Sequence, residues 1–124
     1  MSFTDFKKLT VWQKSKDLAV DVYKITSTGD ISRDYGFIDQ MRRAAVSIPS
    51  NIAEGNDRGT NKESIRFLYI AKGSLAELLT QLIIGKETGY INEVSFGELE
   101  DKCILLSKSL GALIKARKDF EEEL

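Results

Sequence analysis

The 124 residues, 42% hydrophobic and 30% charged, describe one folded domain with a real core and exclude wholesale disorder. The net charge of −1 lacks the global basic signature of many nucleic-acid binders, and no run nears the roughly 18 uninterrupted apolar residues of a membrane span, so no membrane partner is expected. Histidine is absent, which removes the usual general base near neutral pH, every Ser-His or Cys-His pair, and the Glu-x-x-His metal motif of four-helix bundles.

The first predicted helix covers 10–28, where Val11, Ser15, Leu18, Val22 and Ile25 repeat at helical spacing, with Gly29 as its stop. A second, 34–56, carries Phe37 or Ile38, then Met41, Ala45, Ile48 and Ile52. Leu68, Ala71, Leu75, Leu78 and Leu82 mark a third at 61–88. Phe96, Leu99, Cys103, Leu106, Leu110 and Leu113 mark a fourth at 96–120. Thr60 with Glu63, and Ser95 with Glu98, read as capping boxes. Gly55 and Gly59 bracket a turn, Gly89 follows the third helix, and "DFEEEL" reads as a fraying, solvated end. Short connections between long helices favour antiparallel neighbours. The expected fold is all-α: an up-down-up-down four-helix bundle filling residues 1–124 as a single domain.

"RRAAVSIPSNIAEG", Arg42 to Gly55, carries a proline inside a helical pattern. Pro49 cannot donate to the carbonyl of Ala45, and its ring clashes there, costing about 3 kcal/mol in a helix interior. Yet Met41, Ala45, Ile48 and Ile52 hold helical phase across it. The expectation is one continuous, kinked second helix. Gln40, Ala44, Ser47, Asn51, Glu54 and Arg58 then form a seam beside the apolar stripe, with Ser47 or Asn51 placed to bond the freed carbonyls.

Apolar residues are left over once each helix has one core-facing stripe. Phe67, Ile70, Leu79, Ile83 and Ile84 on the third helix, with Leu105 and Ile114 on the fourth, widen the apolar arc. Contiguous exposed apolar surface implies a partner, and a second copy is the simplest one. Gly73, Gly85 and Gly111 each cost about 1 kcal/mol relative to alanine inside a helix, so close approach of a helix or subunit is the expected compensation.

"LTVWQKSKDL", "QMRRAAVSIPSNIAEGNDRG", "FLYIAKGSLAELLTQL" and "TGYI" resemble, in matching order, the small four-helix-bundle proteins encoded within intervening sequences of bacterial large-subunit ribosomal RNA genes. That family is in turn similar to the accessory variability determinants of diversity-generating retroelements. The resemblance implies an antiparallel bundle assembled as a ring-shaped homopentamer, without enzymatic activity. In the retroelement relatives it also implies a basic surface that binds RNA and a reverse transcriptase. The first loop, "STGDISRD", departs from relatives that carry a Phe-Pro pair there. The acidic balance departs from the basic retroelement relatives and opposes RNA binding.

Charge is uneven along the chain. Residues 1–72 hold 12 Lys and Arg against 9 Asp and Glu, and residues 73–124 hold 6 against 10. Arg42 and Arg43 are therefore the candidate centre of a phosphate-binding face, with Lys14, Lys16, Arg58 or Arg66. The alternative is an ordinary solvated or intersubunit face in which Arg42 pairs with Asp39 or Asp34. Asn51 and Glu54 are either a ligand site or polar residues fixing register. Trp12 is either a base-stacking residue or a core lid. Cys103 lies on the apolar stripe as an inert buried thiol. A single cysteine and an N-terminus without an apolar signal core make the cytoplasm the expected compartment. No cofactor, metal or catalytic residue is expected. The leading function is a non-catalytic homo-oligomeric scaffold or nucleic-acid-associated accessory protein, ahead of a retroelement RNA and reverse-transcriptase partner and a carboxylate-based enzyme using Glu54.

Overall fold

The computed structural model describes the backbone of residues 3–123 and the side chains of residues 3–120. Its long elements are α1 (Thr10–Ile25), α2 (Tyr35–Asn56), α3 (Asn61–Glu87) and α4 (Glu93–Glu123), with single 3-10 turns at Asp5–Lys8 and Asp30–Arg33. No strand occurs among the described residues. Each helix packs on the next in chain order, and α4 closes back onto α1, so the fold is an all-α four-helix bundle. Cross-helix pairs run in opposite order along α2 and α3. Gly55 lies against Ser64 and Phe67, Ser47 meets Ser74, Arg43 meets Glu77, and Phe37 lies near Gly85.

The apolar repeats become the core. Leu18 and Val22 of α1, Met41, Ala45, Ile48 and Ile52 of α2, Leu68, Leu75, Leu78 and Leu82 of α3, and Leu106 and Leu110 of α4 are buried together. Each large aliphatic side chain so buried contributes about 1.5–3 kcal/mol relative to exposure. At the far end of α4 the stripe shifts by one residue. Ile114, expected as surplus surface, is buried, and Leu113 is only half-buried.

Helix ends follow side-chain chemistry that the apolar spacing does not carry. The first helix stops at Ile25 rather than 28, because the Thr26 hydroxyl bonds the Val22 carbonyl at 2.7 Å and Ser27 bonds that of Tyr23 at 2.5 Å. Those bonds satisfy carbonyls of the last turn locally, and Gly29 takes its positive φ of 75° in the loop beyond. The second helix begins at Tyr35 under Asp34, whose carboxylate accepts from the Phe37 amide at 3.2 Å. Thr60 caps the third as expected, accepting from Glu63 at 3.2 Å, and this helix ends at Glu87, ahead of Gly89. The fourth starts three residues early. Asn92 is its cap, accepting from the Ser95 amide at 2.8 Å, so the Ser95–Glu98 pair lies inside the helix and forms no box. Its backbone remains helical to Glu123, while the acidic side chains of the "DFEEEL" end from 121 onward lie outside the described residues.

Pro49 sits inside one uninterrupted helix, as the unbroken phase of its apolar stripe requires. The Asn51 amide donates to the carbonyl of Ser47 at 2.7 Å and to its hydroxyl at 3.0 Å. It therefore braces the turn around the proline without reaching the Ala45 carbonyl that the proline leaves bare. The Ser47 hydroxyl in turn meets that of Ser74 at 2.9 Å, so this part of the polar seam ties α2 to α3.

Gly55 is no turn residue. It lies in the last turns of α2, buried, where an added Cβ would stand 3.0 Å from Phe67 Cβ and 3.1 Å from the Ser64 carbonyl. Gly85 is equally tight, 2.7 Å from Ile91 Cδ1 by the same construction. Gly73 and Gly111 differ from the expectation. A Cβ on Gly73 would meet nothing within 4 Å, and one on Gly111 only the Lys72 amine at 3.6 Å.

Candidate functional site

Of the six expected phosphate-binding cations, Arg42 and Arg43 line one concavity with Lys16 beside the adjoining groove, while Arg58 and Arg66 stand together at Phe67. Arg42 and Arg43 are adjacent on α2 and splay toward opposite neighbours. Arg42 reaches α1, donating to Thr26 Oγ1 at 3.0 Å with its guanidinium 4.6 Å from the Tyr23 ring centre. Arg43 reaches α3, pairing with Glu77 at 2.5 Å and with Gln40 at 3.1 Å. The expected Arg42 pairing with Asp39 or Asp34 does not form; Thr26 and Tyr23 take that guanidinium instead. Asp34 is occupied as the α2 cap and accepts from the Tyr90 hydroxyl at 2.9 Å.

Arg58 and Arg66 meet at the α2–α3 corner on the ring of Phe67, with guanidinium carbons 4.7 Å and 5.7 Å from its centre. Arg58 also pairs with Glu54, and Arg66 with Glu63 at 3.8 Å. Glu54 is therefore an exposed ion-pair partner. Lys16 pairs with Asp17 at 2.7 Å, and Lys14 is exposed on α1. Trp12 is half-buried on the core beside Leu9, with Phe6 edge-on at 5.1 Å. Cys103 is buried, and that burial, followed by the nearby Glu100 charge, pushes its thiol up to about 12.

Between α1 and α2 runs a shallow apolar groove of Ala19, Val20, Tyr23, Val46 and Pro49, with Lys16 and Lys24 beside it. It adjoins, through Tyr23 and Val46, a concavity holding Asp39, Arg42 and Arg43. The outer face of α3 is also apolar. Ile70 and Ile84 are 40% and 45% exposed and share a helical stripe with Gly73, Thr80 and Glu77, whose carboxylate is taken by Arg43. An 18-residue stretch of α3 is apolar enough to cross a bilayer by length and composition, a property shared with core helices, yet only 28% of it is buried in the chain.

A second group of cations is hidden when charge is summed over chain halves. Residues 102–118, inside the acidic half, hold Lys102, Lys108, Lys115, Arg117 and Lys118 with no carboxylate, a run that a shorter charge window finds. Arg117 turns inward to the Ser64 hydroxyl, and burial lowers its pKa. Lys102 crosses to Asp21 of α1 at 2.6 Å. Lys115 and Lys118 line a concavity on the α3/α4 face with Lys72, Tyr69 and Gly111.

Residues 7–112 match the family described as 23S rRNA-intervening sequence protein. The chain belongs to that family. A crystal structure of a protein of unknown function from the S23 ribosomal protein family of Bacteroides thetaiotaomicron superimposes with a TM-score of 0.78 at 25% identity, covering 86% of this chain and 99% of that one. No curated protein matches the sequence. The intervening-sequence match takes in α1, α2, α3 and α4 as far as residue 112; Lys115 and Lys118 lie beyond it.

Proposed function

We propose that the protein is a non-catalytic, self-associating helical bundle of the cytoplasm, a scaffold or nucleic-acid-associated accessory protein whose working unit is a ring of five copies. The observation that carries the self-association is the outer face of α3. Ile70 and Ile84 expose apolar surface on one stripe, and Gly73 between them carries a helix penalty of about 1 kcal/mol with no neighbour in its own chain to justify it. A subunit packed closely over that glycine would supply both the burial and the reason. The number five comes from the family resemblance.

The absence of histidine and the engagement of Glu54 by Arg58 support the non-catalytic reading over carboxylate chemistry. Nucleic acid or a reverse transcriptase as partner is the second reading. Arg43, Arg58, Arg66 and Lys16 are each matched by a carboxylate, which leaves the α2-centred face little net positive charge for it.

The self-association is tested by Ile70→Glu/Ile84→Glu, both on exposed positions. The expected result is full helical circular dichroism with loss of assembly. Assembly of unchanged mass in this variant would place the interface elsewhere and overturn the reading of α3.

A further inference from the structure

We propose that the α3/α4 face carries a phosphate-binding site built from Lys72, Lys115 and Lys118 around Gly111 and extended along α4 by Lys108. Lys108, Gly111, Lys115 and Lys118 follow one another at steps of three and four residues, so they form a single stripe on α4. Lys72 approaches that stripe from α3, its amine 3.6 Å from where a Gly111 Cβ would stand. Lys118 donates to the Tyr69 hydroxyl and lies 4.9 Å from the centre of its ring, which holds that amine at the rim of the same concavity.

The charge balance of the site is positive and mostly uncommitted. Among the described residues lining it, Asp119 is the one carboxylate, 2.8 Å from Lys115. That pair is 77% and 54% exposed, so water screens it and a stronger anion can displace it. Among the described residues, Lys72 and Lys108 have no carboxylate within ion-pair distance.

Amines rather than guanidinium forks favour a compact anion that presents oxygen on several sides. The amines recur over about 15 Å of helix between residues 108 and 118, a span that suits successive phosphates better than one carboxylate. The anion chemistry stands apart from the self-association above. Only RNA as the source of the phosphates rests on the nucleic-acid reading, and free polyphosphate is the other source.

The test titrates the full chain with a labelled single-stranded oligoribonucleotide and, separately, with inorganic tripolyphosphate, each at two salt concentrations. Lys72→Ala/Lys115→Ala/Lys118→Ala should weaken binding at least tenfold. It should also make the log–log salt slope shallower by about two, since each phosphate neutralised on a single strand adds about 0.7 to that slope. Asp119→Asn, which removes the competing carboxylate, should tighten binding, and Arg42→Ala/Arg43→Ala should leave it nearly unchanged. Loss of both ligands in the triple variant supports the site for either source, and loss of RNA alone assigns it to nucleic acid. Loss of tripolyphosphate alone keeps the site and removes RNA as its ligand. Unchanged binding of both in the triple variant, or no binding of either at low salt, overturns the proposal, whatever the oligomeric state proves to be.

Discussion

Gly55 and Gly73 are the same residue type in two helices, and their surroundings oppose each other. At Gly55 a methyl group would press on the Ser64 carbonyl and Phe67 Cβ, and backbone cannot swing aside as a side chain can. Overpacking there outweighs the helix propensity alanine brings, so Gly55→Ala should destabilise by about 1 kcal/mol. Gly73→Ala meets open space within its own chain, so in the Ile70→Glu/Ile84→Glu background, where no subunit covers it, it should stabilise the helix by about 0.5–1 kcal/mol. Urea unfolding of the two variants side by side checks the opposite signs. Tyr90 gives a pH signature. Its hydrogen bond to Asp34, then desolvation, then the Asp34 charge hold the phenol above its ordinary value of 10.0. A group raised in the folded state stabilises fully below the unfolded value and loses that contribution as pH rises through the folded one. Stability should therefore fall above pH 10 by a step that Tyr90→Phe makes smaller, the remainder belonging to Lys102 and Lys115, which Asp21 and Asp119 also raise, read by alkaline titration of unfolding. Cys103, with its thiol pushed up to about 12, should resist a thiol reagent at about pH 8 in the folded protein and react fully in denaturant.

Among the elements, α2 shows what the sequence reveals and what it conceals. Met41, Ala45, Ile48 and Ile52 keep phase across Pro49 because core burial on that stripe outweighs the local loss of one hydrogen bond, and this was legible from spacing alone. Helix ends were less legible, since Thr26, Ser27 and Asn92 act through hydroxyl and amide bonds that leave no periodic trace. The role of Gly55 was hidden for a related reason. Its tight approach to Ser64 and Phe67 is made across the corner onto α3, whereas a turn glycine looks the same in sequence. The cations of α4 were masked by summing over half the chain, where Glu121 to Glu123 and the acids before residue 102 cancelled them. Whether Arg42 pairs with α1 or with a nearby aspartate depends on which groove its turn faces, which composition does not encode. Pro49→Ala restores a donor for the Ala45 carbonyl and removes a strain of about 3 kcal/mol, against about 1–2 kcal/mol of packing removed beside Ala19 and Val20. Net stabilisation of about 1–2 kcal/mol is expected from that difference, measured by urea unfolding, with α2 still helical by circular dichroism.

For the whole molecule, one core unites four helices while α3 keeps an apolar outer face. Ile70 and Ile84 are too exposed to serve that core, and Ile83 at 37%, Ile104 at 41% and Leu105 at 61% add apolar surface on α3 and α4. Single exposed apolar residues are ordinary on a monomer, but exposed isoleucines at both ends of a stripe that also holds an open glycine, with Glu77 between them tied to Arg43, make a surface that another chain could cover. Assembly also repeats every surface feature, so a modest cationic site on α3 and α4 becomes multivalent in a ring. The most direct measurement is the solution mass of the unmodified chain by light scattering or sedimentation at micromolar concentration. A single species near five times 13.9 kDa is the expected result, and a stable 13.9 kDa monomer would contradict self-association as the basis of its function.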